Sequence, residues 1–377
     1  MPDVYTEVKK TGYGQNIAKS IIGVLLGIIL FIISFVVLWN SEGRVNLGKV
    51  AEKAIELNAE TLKSSANDQL VALTGPMVSS TLLGDPDYLK PGKYIMLERI
   101  VEMYAWIEET ETETKKKTGG STEEKTTYRY KKSWTANPRA SVEFKIPEGH
   151  ENQPMSVKAR IFYVPHVNIG IYSFDHENAT LPSSERVALD RNNAIAHWDA
   201  RLIDGDYIFK GSGSYEEPKI GDLRISFMAV RAGIKVTLFG KLDDKEIIAY
   251  YHKGKTRLFR AFAGTKDEAI VQLKTEHKVM GWVLRIVGFL LMWIGLSLIL
   301  GPISAILDVL PFLGKVGRGV IGVITFVIAL ILSIIAILVS MIFHNTVALI
   351  LLVIIAIIII YLLITRKKKN KVQAPNP

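Results

Sequence analysis

Apolar and polar positions follow three patterns along the chain. Residues 21–39 (IIGVLLGIILFIISFVVLW) carry no charge. At about 1.5 Å per residue, a helix of that length crosses a hydrocarbon core of about 30 Å. Residues 282–300 repeat the pattern with one charge, Arg285, placed near the start where it can reach headgroups. Residues 320–343 and 346–364 are uncharged and are separated only by His344 and Asn345. Soluble helices keep a polar face, and these runs have none. Four transmembrane helices are predicted, one N-terminal and three C-terminal. The first is read as a retained anchor, because WNSEGR follows it rather than a small-residue cleavage site.

Between the spans the period changes. Val50, Ala54, Ile55 and Leu57 recur at helical spacing behind Ser41, which predicts a helix over 47–62. From there β-branched and aromatic residues alternate with polar ones, as strands with one buried side do. In 100–108, Glu102, Tyr104, Trp106 and Glu108 fall on one face and Val101, Met103, Ala105 and Ile107 on the other. The charged block after it, centred on Gly119 and Gly120, and the returning YRYKKSW predict a long hairpin with a solvated tip. Further strands are expected at 71–80, 159–163, 168–174, 207–209, 223–230, 234–239 and 246–251, with a loop and short helix at 180–198. Thr265-Lys-Asp-Glu268 is a capping-box pattern that opens a helix continuing into the second span. The fold class is an α+β membrane protein whose large strand-rich domain lies between the first and second spans.

Charge then gives an orientation. Basic residues favour cytoplasmic flanks. Lys9, Lys10 and Lys19 precede the first span, Lys315 and Arg318 lie between the second and third, and Arg366, Lys367, Lys368, Lys369 and Lys371 end the chain. Both termini are therefore expected in the cytoplasm. The domains read as a cytoplasmic tail (1–20), span 1 (21–39), an extracytoplasmic α+β domain (40–281) and span 2 (282–300). A cytoplasmic interfacial connection (301–319), spans 3 (320–343) and 4 (346–364), and a basic cytoplasmic tail (365–377) complete the chain. The net charge of +9 sits largely in the tails, so anionic lipid headgroups, met by Lys315, Arg318 and Arg366 to Lys369, are the expected counterpart rather than nucleic acid. With no cysteine the domain has neither a disulfide nor a thiolate metal site.

Several segments carry a family likeness: Glu42-Gly43-Arg44 within NSEGR; Val101, Glu102, Met103, Tyr104 and Trp106 within VEMYAWIEE; and the returning YRYKKSW. Gly221, Asp222, Leu223, Arg224, Ser226 and Phe227 within GDLRISF belong to it too, as do Asp308 and Pro311 in the connection. In this order, and over nearly the whole chain, they resemble the LUMA (transmembrane protein 43) family. The resemblance implies a multipass protein with its large domain in the lumen of the endoplasmic reticulum or at the inner nuclear membrane. In animals it implies a link to nuclear-envelope organisation through lamins and emerin. The lack of cysteine, the short N-terminal tail and the Ile-rich spans point to a prokaryotic relative in the cell (inner) membrane, to which those partnerships do not transfer.

Catalytic chemistry is not evident. The seven histidines are scattered and form no compact ligand pair, so neither a metal nor another cofactor is expected. No P-loop or nucleophile elbow occurs. Tyr104, Trp106, Tyr128, Tyr130 and Trp134 form the one aromatic concentration in the domain, readable as sheet packing or as a partner-binding face. The connection 301–319 reads either as an interfacial helix broken at Pro311 or as a plain loop. The expected function is a non-enzymatic membrane scaffold or adaptor, whose partners are lipid, other membrane proteins and further copies of itself. An oligomeric ion channel or transporter subunit is the alternative, with Ser34, Ser297, Ser333 and Ser340 as the few polar groups inside spans.

Overall fold

The computed structural model describes residues 3–117, 121–195, 199–203, 205–307, 311–345, 349–350 and 354. Strand β1 (Val4–Thr11) precedes helix α1 (Tyr13–Glu42). Helix α2 (Leu47–Ala51) leads to β2 (Ile55–Leu57), β3 (Leu70–Val78), β4 (Leu83–Asp85) and β5 (Leu89–Gly92). The long arms β6 (Tyr94–Lys116) and β7 (Thr122–Thr135) follow. Next come β8 (Arg160–Tyr163), β9 (Asn168–Ile169), β10 (Tyr172–Phe174), β11 (Glu185–Arg186), β12 (Ala200–Ile203) and β13 (Tyr207–Lys210). Then β14 (Leu223–Arg231), β15 (Lys235–Asp243), β16 (Glu246–Ile248), β17 (Tyr250–His252), β18 (Thr256–Leu258) and β19 (Arg260–Ala263) lead to α3 (Lys266–Ile299), α4 (Gly301–Leu307) and α5 (Pro311–His344).

The chain divides into two compact units. The first comprises Met1–Val8, Asn46–Glu113 and Lys125–Thr275, the second Lys9–Val45, Thr114–Glu124 and Glu276–Pro377. Within the first, one sheet runs β1-β7-β6-β14-β13-β12, with β11 on β14 and β8 on β6. A second runs β19-β15-β16-β10-β9-β3-β2, and the additional pairing of β15 with β3 closes five of its strands into a ring. Val71, Leu73, Met77, Ile169, Tyr172, Val236, Leu238 and Ile247 belong to one core. A second core holds Leu97, Val101, Met103, Ala105, Ile208, Ile225 and Phe227. The alternation in 101–105 is realised: Val101, Met103 and Ala105 are buried, and Glu102, Tyr104 and Trp106 are half-buried.

Several local expectations change, among them the strand expected over 246–251, which divides into β16 and β17 in different sheets. The helix expected over 47–62 stops after Ala51. Asn46 caps it by accepting from the Lys49 N–H (3.1 Å), and the β-branched Ile55 then joins β2, parallel to β3 at Val71. The strand expected over 168–174 breaks at Gly170, whose φ of +59° turns the chain against the Ala59 carbonyl. No helix occurs among the described residues of 180–198; the Asp190 carboxylate instead accepts from the N–H groups of Asn192 and Asn193, each at 2.8 Å, and holds a turn. Finally, residues 1–20 are not a plain tail. Residues 4–11 form an edge strand on β7, and Gly12 alone separates it from α1.

Within the second unit α1, α3 and α5 are long and apolar enough to cross a membrane. The expected fourth span, 346–364, and the basic tail lie almost wholly outside the described residues. Helices α1 and α3 pack antiparallel where Gly27 and Gly295 meet: a Cβ on Gly27 would lie 2.7 Å from the Gly295 carbonyl oxygen. In the connection, α4 ends at Leu307 and Pro311 opens α5 rather than breaking a helix, as suits a residue that lacks the N–H the first turn leaves unused. The capping box is present: Glu268 accepts from the Thr265 N–H (2.7 Å), and the Thr265 hydroxyl accepts from the Glu268 N–H (3.4 Å).

Candidate partner-binding face

β6, β7, β14 and β13 together present the aromatic residues that the sequence singled out, in two groups. In the first, Tyr104 and Trp134 lie with ring centroids 5.4 Å apart. The Arg224 guanidinium sits over Trp134 and over Tyr207, 4.9 Å from each, and Trp134 meets Phe209 edge-on. Arg224 is fixed by Glu102 at 2.6 Å. In the second, Tyr130 stacks on His150 at 3.9 Å and Trp106 meets the same imidazole edge-on at 4.8 Å. Lys132, exposed, lies over Trp106 at 4.8 Å. Tyr128 stands apart from both groups, beside Tyr5 and under Lys145. Cations over aromatic faces hold such layers together while leaving charge at the surface.

Sequence reading missed what anchors the second group. Tyr130 is buried, at 4% exposure, and donates its hydroxyl proton to Glu108 at 2.8 Å while accepting from the Ile146 N–H at 2.9 Å. Burial and the Glu108 hydrogen bond push the Tyr130 phenol up to about 12. Glu108 also accepts from the Lys145 N–H at 2.6 Å, so this first acid of the Glu-rich arm is a buried anchor. Asn152 continues the pairing where β14 leaves β6: its carboxamide accepts from the Trp106 N–H (2.7 Å) and donates to the Trp106 carbonyl (3.0 Å). The 136–159 loop that supplies His150 and Asn152 has no hydrophobic period from which either role could be read.

The two most specific sequence motifs are cross-strand neighbours. Val101 pairs with Ile225, Glu102 with Arg224 and Met103 with Leu223. Ser226 and Phe227 continue the register against Ile100 and Arg99. Asp222 is buried, and its carboxylate accepts from the N–H groups of Ser212 (3.0 Å), Gly213 (3.1 Å) and Lys219 (2.7 Å), which folds the GSGS turn; Gly221 beside it has a φ of +96°. The third motif ends α1 in the other unit. Glu42 receives Arg285 Nε at 2.8 Å and Nη2 at 3.0 Å, Arg44 reaches the His277 carbonyl, and Gly43 packs against the His344 ring. This motif clasps α1 to α3 and α5. Pro311 opens α5, while Asp308, the Lys315 and Arg318 side chains, and Arg366 to Lys369 lie outside the described residues. Among the described residues no three His, Cys, Asp or Glu side chains gather as a metal site.

The model of the transmembrane protein 43 family matches residues 103–346. The chain belongs to the transmembrane protein 43 family. It is 24% identical to transmembrane protein 43 of Rattus norvegicus over 330 residues, 81% of this chain and 80% of the relative. The Homo sapiens protein is 23% identical over 324 residues, 80% of this chain and 79% of that one. A Drosophila melanogaster homologue is 24% identical over 249 residues, covering 65% of each. No solved structure matches. The matched segment holds VEMYAW from Met103 onward and all of GDLRISF, and of the pairs between β6 and β14 it contains both members of Met103 with Leu223.

Proposed function

We propose that this member of the transmembrane protein 43 family is a non-enzymatic membrane scaffold that gathers membrane proteins or lipid through its strand-rich unit. The face built on Tyr104, Trp106 and Trp134 is the binding surface, with the buried Tyr130 beneath it and Tyr128 beside Tyr5 at its margin. The observation that carries this reading is the half-exposed aromatic and cation layer: Lys132 over Trp106 and Arg224 over Trp134 offer both apolar area and charge at a rigid sheet. The strand-rich unit then lies outside the cytoplasm, and the connection between α3 and α5 and the basic C-terminal tail lie inside it.

Crosslinking in native membranes, followed by identification of bound proteins, tests the proposal. Trp106→Ala, or removal of residues 110–126, should change the recovered partners while membrane insertion stays intact. Unchanged partners in both variants would sink the proposal. A pore is the less supported reading. The Ser340 hydroxyl donates to the Trp39 carbonyl at 2.9 Å and Ser297 bonds Thr325 at 3.0 Å, so these two tie helices together, while Ser34 donates to the Phe31 carbonyl at 2.6 Å within α1.

A further inference from the structure

Where β14 hands over to β15 the chain leaves one sheet of the strand-rich unit for the other, turning through Ala232 and Gly233, whose φ is +85°. A cavity of about 330 Å³ lies there, between the end of β14 and β19. Its volume has a cause in the sequence. Ala229 of β14 and Ala261 and Ala263 of β19 line it, while neighbouring buried positions of β14 and β15 carry Phe227, Leu238 and Phe239. Three methyl groups leave open the space that larger side chains fill elsewhere in the core. Leu181, Ile234 and Phe262 complete an apolar wall. The rest of the lining is charged or polar, with Arg231 and Arg260 facing one carboxylate, Glu185. The Arg260 guanidinium lies over the Phe262 ring, 4.5 Å from its centroid. Arg231 Nε is 3.8 Å from the Glu185 carboxylate, beyond hydrogen-bond reach, and the Glu185 side chain is 76% exposed, so that pair is loose. β19 adds a backbone donor. The Ala261 N–H donates to the Thr180 carbonyl at 2.8 Å, and by the alternation of an antiparallel pair the Ala263 N–H is also directed away from β15, to the side from which Thr180 and Leu181 approach.

We propose that this cavity is a binding site for a small amphiphilic carboxylate. Arg231 and Arg260 hold the carboxylate, whose two oxygens match the fork of a guanidinium, and the bound anion takes the place of Glu185 beside Arg231. The Ala263 N–H supplies a further donor. The apolar end of the ligand lies against Leu181, Ile234 and Phe262, in the usual division of a small-molecule site into an apolar wall and a few placed polar groups. At the roughly 30 Å³ that a water molecule takes up in the liquid, the volume suits a ligand of about ten non-hydrogen atoms. No residue of the site belongs to the aromatic face, so the inference stands apart from the scaffold reading.

The test uses the full-length protein in lipid nanodiscs and 3-phenylpropanoate, a carboxylate of this size, followed by ligand-observed saturation-transfer NMR with empty nanodiscs as background. Saturable binding above that background is expected, about tenfold or more tighter than binding of 3-phenylpropanol, which lacks the charge, and of acetate, which lacks the ring. Arg231→Gln should weaken it about tenfold, and Arg231→Lys should recover part of the affinity, which separates loss of the charge from loss of the fold. Ala263→Phe, which fills the space and keeps both cations, should abolish it. Absence of saturable binding, equal binding of the alcohol, or binding that survives both Arg231→Gln and Ala263→Phe overturns the proposal.

Discussion

Glu102 and Arg224, 122 residues apart in sequence, meet across β6 and β14 with Arg224 Nε 2.6 Å from the Glu102 carboxylate. The guanidinium simultaneously covers Trp134 and Tyr207. A double-mutant cycle on Glu102→Gln and Arg224→Met, followed by urea unfolding of the strand-rich unit, should give a coupling of about 1 kcal/mol, since both side chains are only partly buried. Arg224→Lys should not rescue stability, because an ammonium cannot both bridge and stack. Full rescue by Lys would show that the rings contribute nothing.

Arg99 and Asp85 make a more deeply buried pair. Their side chains are 8% and 0% exposed and 2.8 Å apart, with the guanidinium also lying 5.5 Å from the Tyr88 ring centroid and donating to the Lys158 carbonyl. Asp85→Ala should destabilise the unit by roughly 3 kcal/mol, the low end for a broken buried pair, because Arg99 then keeps only the exposed Asp87 carboxylate, 3.3 Å away. The double replacement Asp85→Leu with Arg99→Met should cost less than Asp85→Ala. Equal stability of wild type and Asp85→Ala in thermal unfolding would refute the argument.

Tyr130 predicts an alkaline transition. Its folded value of about 12 lies above the ordinary tyrosine value of 10.0. The unfolded chain therefore loses this proton first, and stability falls as pH rises from about 10 to about 12. The loss should not exceed roughly 2–3 kcal/mol. Ultraviolet titration should show a late phenol step near pH 12, and Tyr130→Phe should remove it.

Gly27 and Gly295 predict a steric effect in the helices. A side chain at either position would meet backbone atoms of the facing helix at about van der Waals overlap. Gly27→Val or Gly295→Val should therefore lower the melting temperature of the detergent-solubilised protein, by an overpacking cost of about 1–3 kcal/mol. Gly14→Val, with nothing within 4 Å of its Cβ position, is the control and should leave it unchanged.

Much of the fold was legible because burial imposes periods. Val101, Met103 and Ala105 announced a strand with one buried side, and the uncharged stretches behind α1, α3 and α5 announced helices without a polar face. The capping box at Thr265 and Glu268 was readable because both partners lie within one helical turn. The helix over 47–62 misled because Ile55 answers to Val71, a partner distant in sequence. β1 misled for a different reason: its lysines and acids look like a solvated tail, and only pairing with β7 reveals a strand. In the candidate face the aromatic residues could be listed from sequence, but their grouping around His150 and Arg224 depends on loop contacts and register that no local pattern encodes.

The carboxamide of Asn152 closes the backbone of β6 at Trp106 where β14 departs. One side chain thereby does the work of a neighbouring strand at Trp106, at the point where the bare margin of the ribbon begins. Asn152→Ala would leave that ribbon uncapped, and its first symptom should be fibrillar self-association on ageing, detectable by thioflavin fluorescence well before any loss of native secondary structure.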